Sequence, residues 1–156
     1  MSHQASRRYP DRPFLGIGAL VFRRDADALE ILLVERGKEP LKGFWSLPGG
    51  ILETGEKLAE GICREVLEET GLEVEPLGIF EIFERIMRDV DGRPEYHYVL
   101  VDYTCRVKGG ILGPATDVSD AAWVSQQNLS RYRLTEGTLA VVERAFQKQL
   151  HDPDQF

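Results

Sequence analysis

Residues Gly50–Leu72 read GILETGEKLAEGICREVLEETGL, and two periodic patterns are superimposed in that run. Leu58, Ala59, Ile62, Cys63 and Val66 recur every three or four residues, which predicts a helix over 57–70 with one apolar stripe. Gly71 is placed to stop that helix. Gly61, which costs roughly 1 kcal/mol relative to Ala inside a helix, marks a close backbone approach. The second pattern is acidic. Glu65, Glu68 and Glu69 stand at i, i+3 and i+4, so three carboxylates converge on one side, away from the apolar stripe. Six glutamates against Lys57 and Arg64 give the stretch a net charge of −4, more than half of the −7 carried by the whole chain. Such crowding is either a solvated helix face or a nest for divalent cations, which as hard ions prefer carboxylate oxygen. Lysines interleaved at i+4, expected on a plain surface helix, are not there; only Arg64 is close.

On the N-terminal side, Phe14–Phe22 and Leu29–Val34 read as strands joined by the polar turn Arg23–Ala28. A charged loop over 37–43 and a short segment Phe44–Leu47 lead into Pro48-Gly49-Gly50, a strong turn signal. On the C-terminal side, Glu73–Met87 and Glu95–Val107 read as strands flanking a hairpin turn over 89–94. Ala121–Val124 is a further strand, and Asn128–Arg131 a helical turn. Thr135 is expected to cap a last helix whose buried face is Leu139, Val142, Phe146 and Leu150. The order β-β-β-α-β-β-β-α predicts an α/β sandwich with a mixed sheet.

A chain of 156 residues suits one domain. We expect it over 13–150, with a flexible N-terminal segment at 1–12 and a flexible tail at 151–156, both polar and containing proline. Nineteen Lys and Arg against 26 Asp and Glu argue against a nucleic acid polymer as partner. No run approaches the roughly 20 apolar residues of a membrane span, and the polar first twelve residues lack the apolar core of a secretory signal. Two cysteines, Cys63 and Cys105, are too few for a disulfide framework, so the expected compartment is the cytoplasm.

Gly50, Glu56, Arg64-Glu65-Val66, Glu68-Glu69 and Gly71-Leu72 fill every specified position of the Nudix box: Gly, five residues, Glu, seven residues, Arg-Glu, a hydrophobic residue, any residue, Glu-Glu, any residue, Gly, hydrophobic. The chain therefore resembles the Nudix hydrolases. The lead-in Trp45-Ser-Leu-Pro-Gly-Gly50, the later Ala121-Ala122-Trp123-Val124 and the closing helix extend the likeness over roughly 14–150. The resemblance implies a Nudix-type α/β/α sandwich with a mixed central sheet. It also implies magnesium-dependent hydrolysis, with manganese as the other candidate ion, of a nucleoside diphosphate linked to another group. Glu65, Glu68 and Glu69 would hold the metal, and Glu68 or Glu69 would orient or deprotonate the attacking water. Arg64 would pair with Glu56 or with a metal-ligand carboxylate. Gly49 and Gly50 would let the backbone approach metal or phosphate with no Cβ in the way.

Around the box, Arg36, Lys38 and Lys42 are candidates for steering phosphates, against the plain reading of a solvated loop. Phe80, Phe83, Tyr96 and Tyr98 read as core, with one of them open to stack on a base. Trp45 reads as loop packing. His97 has no His or Cys partner at metal spacing, which argues against zinc. Asp117 and Asp120 are candidates for an extra carboxylate. For substrate the resemblance leaves ADP-ribose-like nucleotide sugars and (d)NTPs, including oxidised ones. The proline about 16 residues beyond the box that accompanies ADP-ribose hydrolysis is replaced by Arg88. The expected partner is a small-molecule nucleotide, with no membrane, and the protein a monomer or homodimer. The alternative function is a non-catalytic nucleotide-sensing module.

Overall fold

The computed structural model describes residues 7–113 and 118–151. Strand β1 (Phe14–Asp25) is apolar at both parities, with Ile17, Ala19 and Val21 buried and Leu20 and Phe22 buried as well. A strand of that kind has to be covered on both faces. Helix α1 (Leu58–Thr70) packs Ile62 and Val66 into the cluster formed by Ile17, Ala19 and Val21. Helix α2 (Thr138–Leu150) packs Val142, Ala145 and Phe146 into the cluster formed by Leu20 and Phe22. Phe22 and Phe146 meet edge to face with centroids 5.2 Å apart, a contact worth about 0.5–1.5 kcal/mol beyond the area it buries. The expected α/β/α sandwich is the observed one.

Between the helices lies one sheet of β1, β2 (Ala28–Arg36), β3 (Trp45–Ser46), β4 (Gly49–Ile51), β5 (Leu72–Arg88), β6 (Pro94–Gly110) and β7 (Val118–Ser125). The main path runs β3-β2-β1-β6-β5, with β4 on β1 and β7 on β2. It is mixed: β1 and β6 are parallel and the other pairs antiparallel. One edge of β1 is divided. Residues 22–25 pair with β2, while residues 16–18 pair with β4, so the chain opens between β2 and β4 at the N-terminal end of β1.

Several boundaries differ from the sequence reading. Pro48-Gly49-Gly50 is not only a turn, since Gly49 and Gly50 belong to β4. A Cβ on Gly49 would run into the Ile17 carbonyl oxygen, so this strand pair can close only around glycine. The turn between β1 and β2 shrinks to Ala26 and Asp27, both at positive φ (46° and 70°), as a two-residue hairpin with the right twist requires. The last helix buries a different face. Val142 and Phe146 are buried as expected, but Leu139 and Leu150 are exposed, and Thr138, Val141, Ala145 and Gln149 complete the inner stripe. Gly137, not Thr135, occupies the cap position; Thr135 Oγ1 instead bonds Thr138 Oγ1 at 2.6 Å. Helix α1 ends as expected, on Gly71 at φ 77° with its N–H on the Leu67 carbonyl at 2.9 Å.

At the chain's start, Tyr9 donates its N–H to the Glu95 carbonyl (2.7 Å) and its hydroxyl to Asp89 (2.7 Å). Arg8 pairs with the Glu95 carboxylate at 2.8 Å. Residues 1–6 and 152–156 of the terminal segments lie outside the described residues. Cys63 and Cys105 are both free thiols, and burial pushes Cys105 up to about 12. Among the described residues, no helix is long and apolar enough to cross a membrane.

Candidate active site

The acidic edge of α1 splits into two arrangements. Glu65 and Glu69 lie together behind β4: Glu69 Oε2 accepts the Gly49 N–H at 3.2 Å, and the Glu65 carboxylate lies so close over Gly50 that an added Cβ would stand 2.5 Å from Oε1. The two carboxyl groups are close enough that each acts on the other's titration. Burial, with the Glu65 charge adding to it, pushes Glu69 up to about 8. Glu65 is raised too, again chiefly by burial, with Arg64 opposing. Two acids this close cannot both ionise cheaply, so the pair resists full ionisation.

Glu68 is elsewhere. It is exposed and drawn to Arg64 Nη1 at 3.2 Å. Arg64 grips Glu56 at two points, Nε to Oε2 at 2.6 Å and Nη2 to Oε1 at 2.9 Å, and its Nη1 also holds Glu65 Oε1 at 2.9 Å. The Arg64 hydrogen bond holds Glu56 down at about 2, and the same partner raises Arg64. Arg64 thus pairs with both kinds of partner named for it, Glu56 and a carboxylate of the expected metal set. The three carboxylates do not meet at one point, and no group of three or more His, Cys, Asp or Glu stands ready for a metal among the described residues. The donor chemistry nevertheless fits a hard divalent cation. Two buried carboxylates held beside each other have the charge that such an ion would neutralise, and Glu68 follows one helical turn after Glu65 on an exposed side chain held by Arg64.

Gly49 and Gly50 form the border between these carboxylates and a cleft on the α2 face of the sheet. Of the three loop cations, Arg36 lines the cleft, whereas Lys38 and Lys42 are exposed beyond it. Arg36 donates Nε to the Pro40 carbonyl at 2.7 Å, burial lowers its pKa, and its charge acts on Glu69. Phe83 and Tyr98 line the cleft. Tyr96 stacks on Tyr98 with centroids 6.5 Å apart, and Phe80 packs on the α2 core. Trp45 meets Tyr132 edge to face at 4.9 Å, the packing role expected of it. His97 pairs across to Ile86 in the sheet. Asp120 Oδ1 accepts the Ala121 N–H at 2.8 Å from an exposed position, and Asp117 lies outside the described residues.

Arg85 and Asp102 were not singled out from sequence, yet both line the cleft. Each is a charge inserted at an inward position of a strand: Arg85 between Phe83 and Met87 on β5, Asp102 in the run Tyr98–Cys105 of β6. A charge breaking an apolar run is the signal that could have found them.

The family model described as the NUDIX domain matches residues 12–145. The ADP-ribose pyrophosphatase of Methanocaldococcus jannaschii is 33% identical over 102 residues, covering 65% of this chain and 58% of that protein. The 8-oxo-dGDP phosphatase NUDT18 of Homo sapiens is 33% identical over 131 residues, covering 81% of this chain and 37% of that protein. The chain thus spans less than two thirds of the length of these curated relatives. Among solved structures, the NUDIX domain of Shewanella oneidensis NrtR complexed with ADP ribose superposes with a TM-score of 0.71 at 25% identity, over 89% of this chain and 90% of that one. The MutT NUDIX hydrolase from Burkholderia pseudomallei gives 0.72 at 27% identity, over 85% and 98%.

Proposed function

The chain belongs to the Nudix family, and from that premise we propose that it hydrolyses a pyrophosphate bond in a nucleoside diphosphate linked to another group, using magnesium or manganese. The observation that carries this reading is the placement of the Glu65 and Glu69 carboxylates behind Gly49-Gly50, at the edge of a cleft that also contains Arg36. When bound, the divalent ion supplies charge neutralisation on the diphosphate and a lowered pKa for water. Glu65, Glu68 and Glu69 are the residues to hold it. The chain's own part is positional. Arg64 fixes Glu65 and Glu68 from one side while anchored on Glu56, Arg36 places a cation beside the phosphates, and Glu69 or Glu68 accepts the proton of the attacking water. The names of the relatives support two substrate classes, ADP-ribose and oxidised guanine nucleotides.

A panel of nucleoside diphosphate derivatives incubated with magnesium or manganese, with products identified by mass, tests this. Metal-dependent release of a nucleoside monophosphate or of phosphate is expected. Tight binding of a nucleotide with no product under either metal would overturn it in favour of the sensing module, a reading kept open by the likeness to the ADP-ribose-bound NrtR domain.

A further inference from the structure

The inner end of the cleft is lined by two charged side chains, Asp102 and Arg85, whose hydrogen-bonding capacity is only partly met among the described residues. Asp102 is 95% buried, at 5% relative exposure, and lines the cleft. Among the described residues its carboxylate accepts no hydrogen bond. Gly18, its neighbour across β1, makes room for it: a Cβ there would collide with Asp102 Oδ1. Arg85 lines the same cleft from the adjacent strand. Its Nη2 donates to the Glu136 carbonyl at 2.6 Å, but Nε is buried without a partner. A buried carboxylate without a donor is costly to keep, and both Asp102 and Arg85 line one cleft, so a ligand that donates to Asp102 while accepting from the Arg85 guanidinium would satisfy both.

That ligand must offer N–H donors to a carboxylate and an acceptor to a guanidinium. Phe83, Tyr98, Leu47 and Leu100 supply apolar walls beside the charges, the setting for a flat ring. We propose that Asp102 and Arg85 read the base of the substrate, and that they select a guanine-type edge. Guanine presents N1–H and N2–H side by side to the two carboxylate oxygens, with O6 next to them for the Arg85 donors. Adenine presents a single N6 donor beside the N1 lone pair, which would face a carboxylate oxygen. Burial first, and then the Glu81 charge, push Asp102 up to about 6, with Arg85 opposing, so at pH 7.5 it is still the double acceptor this pairing needs. The inference rests on the nucleotide reading above and goes one step further, to which base.

The test is calorimetric binding of α,β-methylene analogues of GDP, IDP and ADP, which cannot be cleaved at that bridge, with magnesium at pH 7.5. The guanine analogue is expected to bind at least tenfold tighter than the adenine one. The hypoxanthine analogue, lacking the 2-amino group, should fall between them. Asp102→Asn, nearly isosteric, should erase or invert the guanine preference, because an amide offers one donor and one acceptor. Equal affinities for all three bases in the wild type overturn the base assignment and leave the hydrolase reading standing. So does an unchanged ratio in a folded Asp102→Asn protein. Loss of the preference on removing the 2′-hydroxyl would assign Asp102 to the ribose instead, and also overturns it. Binding of none of the analogues, with turnover of none of the panel, sinks the nucleotide reading itself. The wild-type series needs no variant, so a failure of Asp102→Asn to fold leaves the test decisive.

Discussion

Arg64 and Glu56 form a two-point ion pair, 2.6 and 2.9 Å across eight residues of chain, which ties the start of α1 to its acidic edge. Because the third nitrogen of the same guanidinium holds Glu65 and Glu68, the pair sets the direction of two of the three expected metal carboxylates. Lysine could supply the charge but not the fork. Arg64→Lys is therefore expected to lower the melting temperature by about 2–4 °C and to lower turnover more than it raises KM. Glu56→Gln should show the same direction at pH 7. Glu56 is held at about 2 against an ordinary 4.5, so its contribution is complete above about 4.5 and is lost as the pH falls towards 2. The gap in melting temperature between wild type and Glu56→Gln should accordingly narrow over that window. A gap that widens in acid would contradict the assignment.

Glu69 has the opposite sign. Its folded-state pKa of about 8 lies above the ordinary 4.5, so the folded protein holds that proton more tightly than the unfolded chain. The stabilisation is complete below about 4.5 and is lost as the pH rises to about 8. In the presence of a chelator, the urea midpoint should fall between pH 5 and pH 8.5, and Glu69→Gln should flatten that fall. Magnesium at a hundred times its Kd would add about 2.7 kcal/mol, or roughly 5–10 °C for a domain of this size. The gain should be largest at alkaline pH, where the acids have already lost their proton. Glu69→Gln should also cost turnover about 10²–10⁴-fold if this residue takes the water's proton. A pH-independent midpoint for metal-free protein would contradict the raised Glu69.

The order of elements along the chain, the box helix and its glycine stop were legible because hydrophobic period and turn residues are local signals. The acidic edge was legible only as a spacing. The i, i+3, i+4 pattern puts three carboxylates on one side of α1, but whether they meet depends on Arg64, which draws Glu68 outward, and on Gly49, whose N–H draws Glu69 inward. The second is a contact across 20 residues of chain, about which spacing carries no information; the first is an i, i+4 pair whose spacing is visible but whose effect on Glu68 is not. Asp102 and Arg85 were missed for a related reason. Each looks like an ordinary strand polar residue until the α2 face of the sheet is left uncovered beside them. The face of α2 itself was misread by trusting Leu139 and Leu150 over position: the stripe starting at Thr138 includes a glutamine and excludes both leucines.

That glutamine yields a stability prediction. Gln149 is fully buried, and neither Nε2 nor Oε1 finds a partner among the described residues. It lies one turn beyond Ala145 and Phe146 on the inner face of α2. An unflexed amide there is disfavoured twice, by two unmet hydrogen bonds and by the side-chain entropy of holding it still. Gln149→Met, close in volume, should stabilise the protein by about 1–2 kcal/mol and raise the melting temperature by roughly 2–6 °C, with turnover unchanged. A fall in melting temperature would mean the amide is satisfied in solution by ordered water.

Gly49 and Gly50 are neighbours in β4, yet they should respond differently to the same added methyl group. A Cβ on Gly49 meets backbone, the Ile17 carbonyl oxygen and Gly18 Cα, neither of which can move without opening the β1–β4 pair. Gly49→Ala should therefore destabilise the fold by about 1–3 kcal/mol, the range for overpacking a tight contact. A Cβ on Gly50 meets the end of the Glu65 side chain, 2.5–2.9 Å from its carboxylate atoms, and a side chain can swing away. Gly50→Ala should lower the melting temperature by about 2–4 °C, the scale of about 1 kcal/mol for a domain of this size, because Glu65 gives up its Arg64 contact but no backbone pair opens. It should also break the Glu65–Glu69 contact, and with it the pH dependence described above. Measured together, the two variants separate the backbone role of the Gly-Gly pair from its role beside the carboxylates. If Gly50→Ala unfolds as readily as Gly49→Ala, then Glu65 is locked in place by more than Arg64 and Glu69.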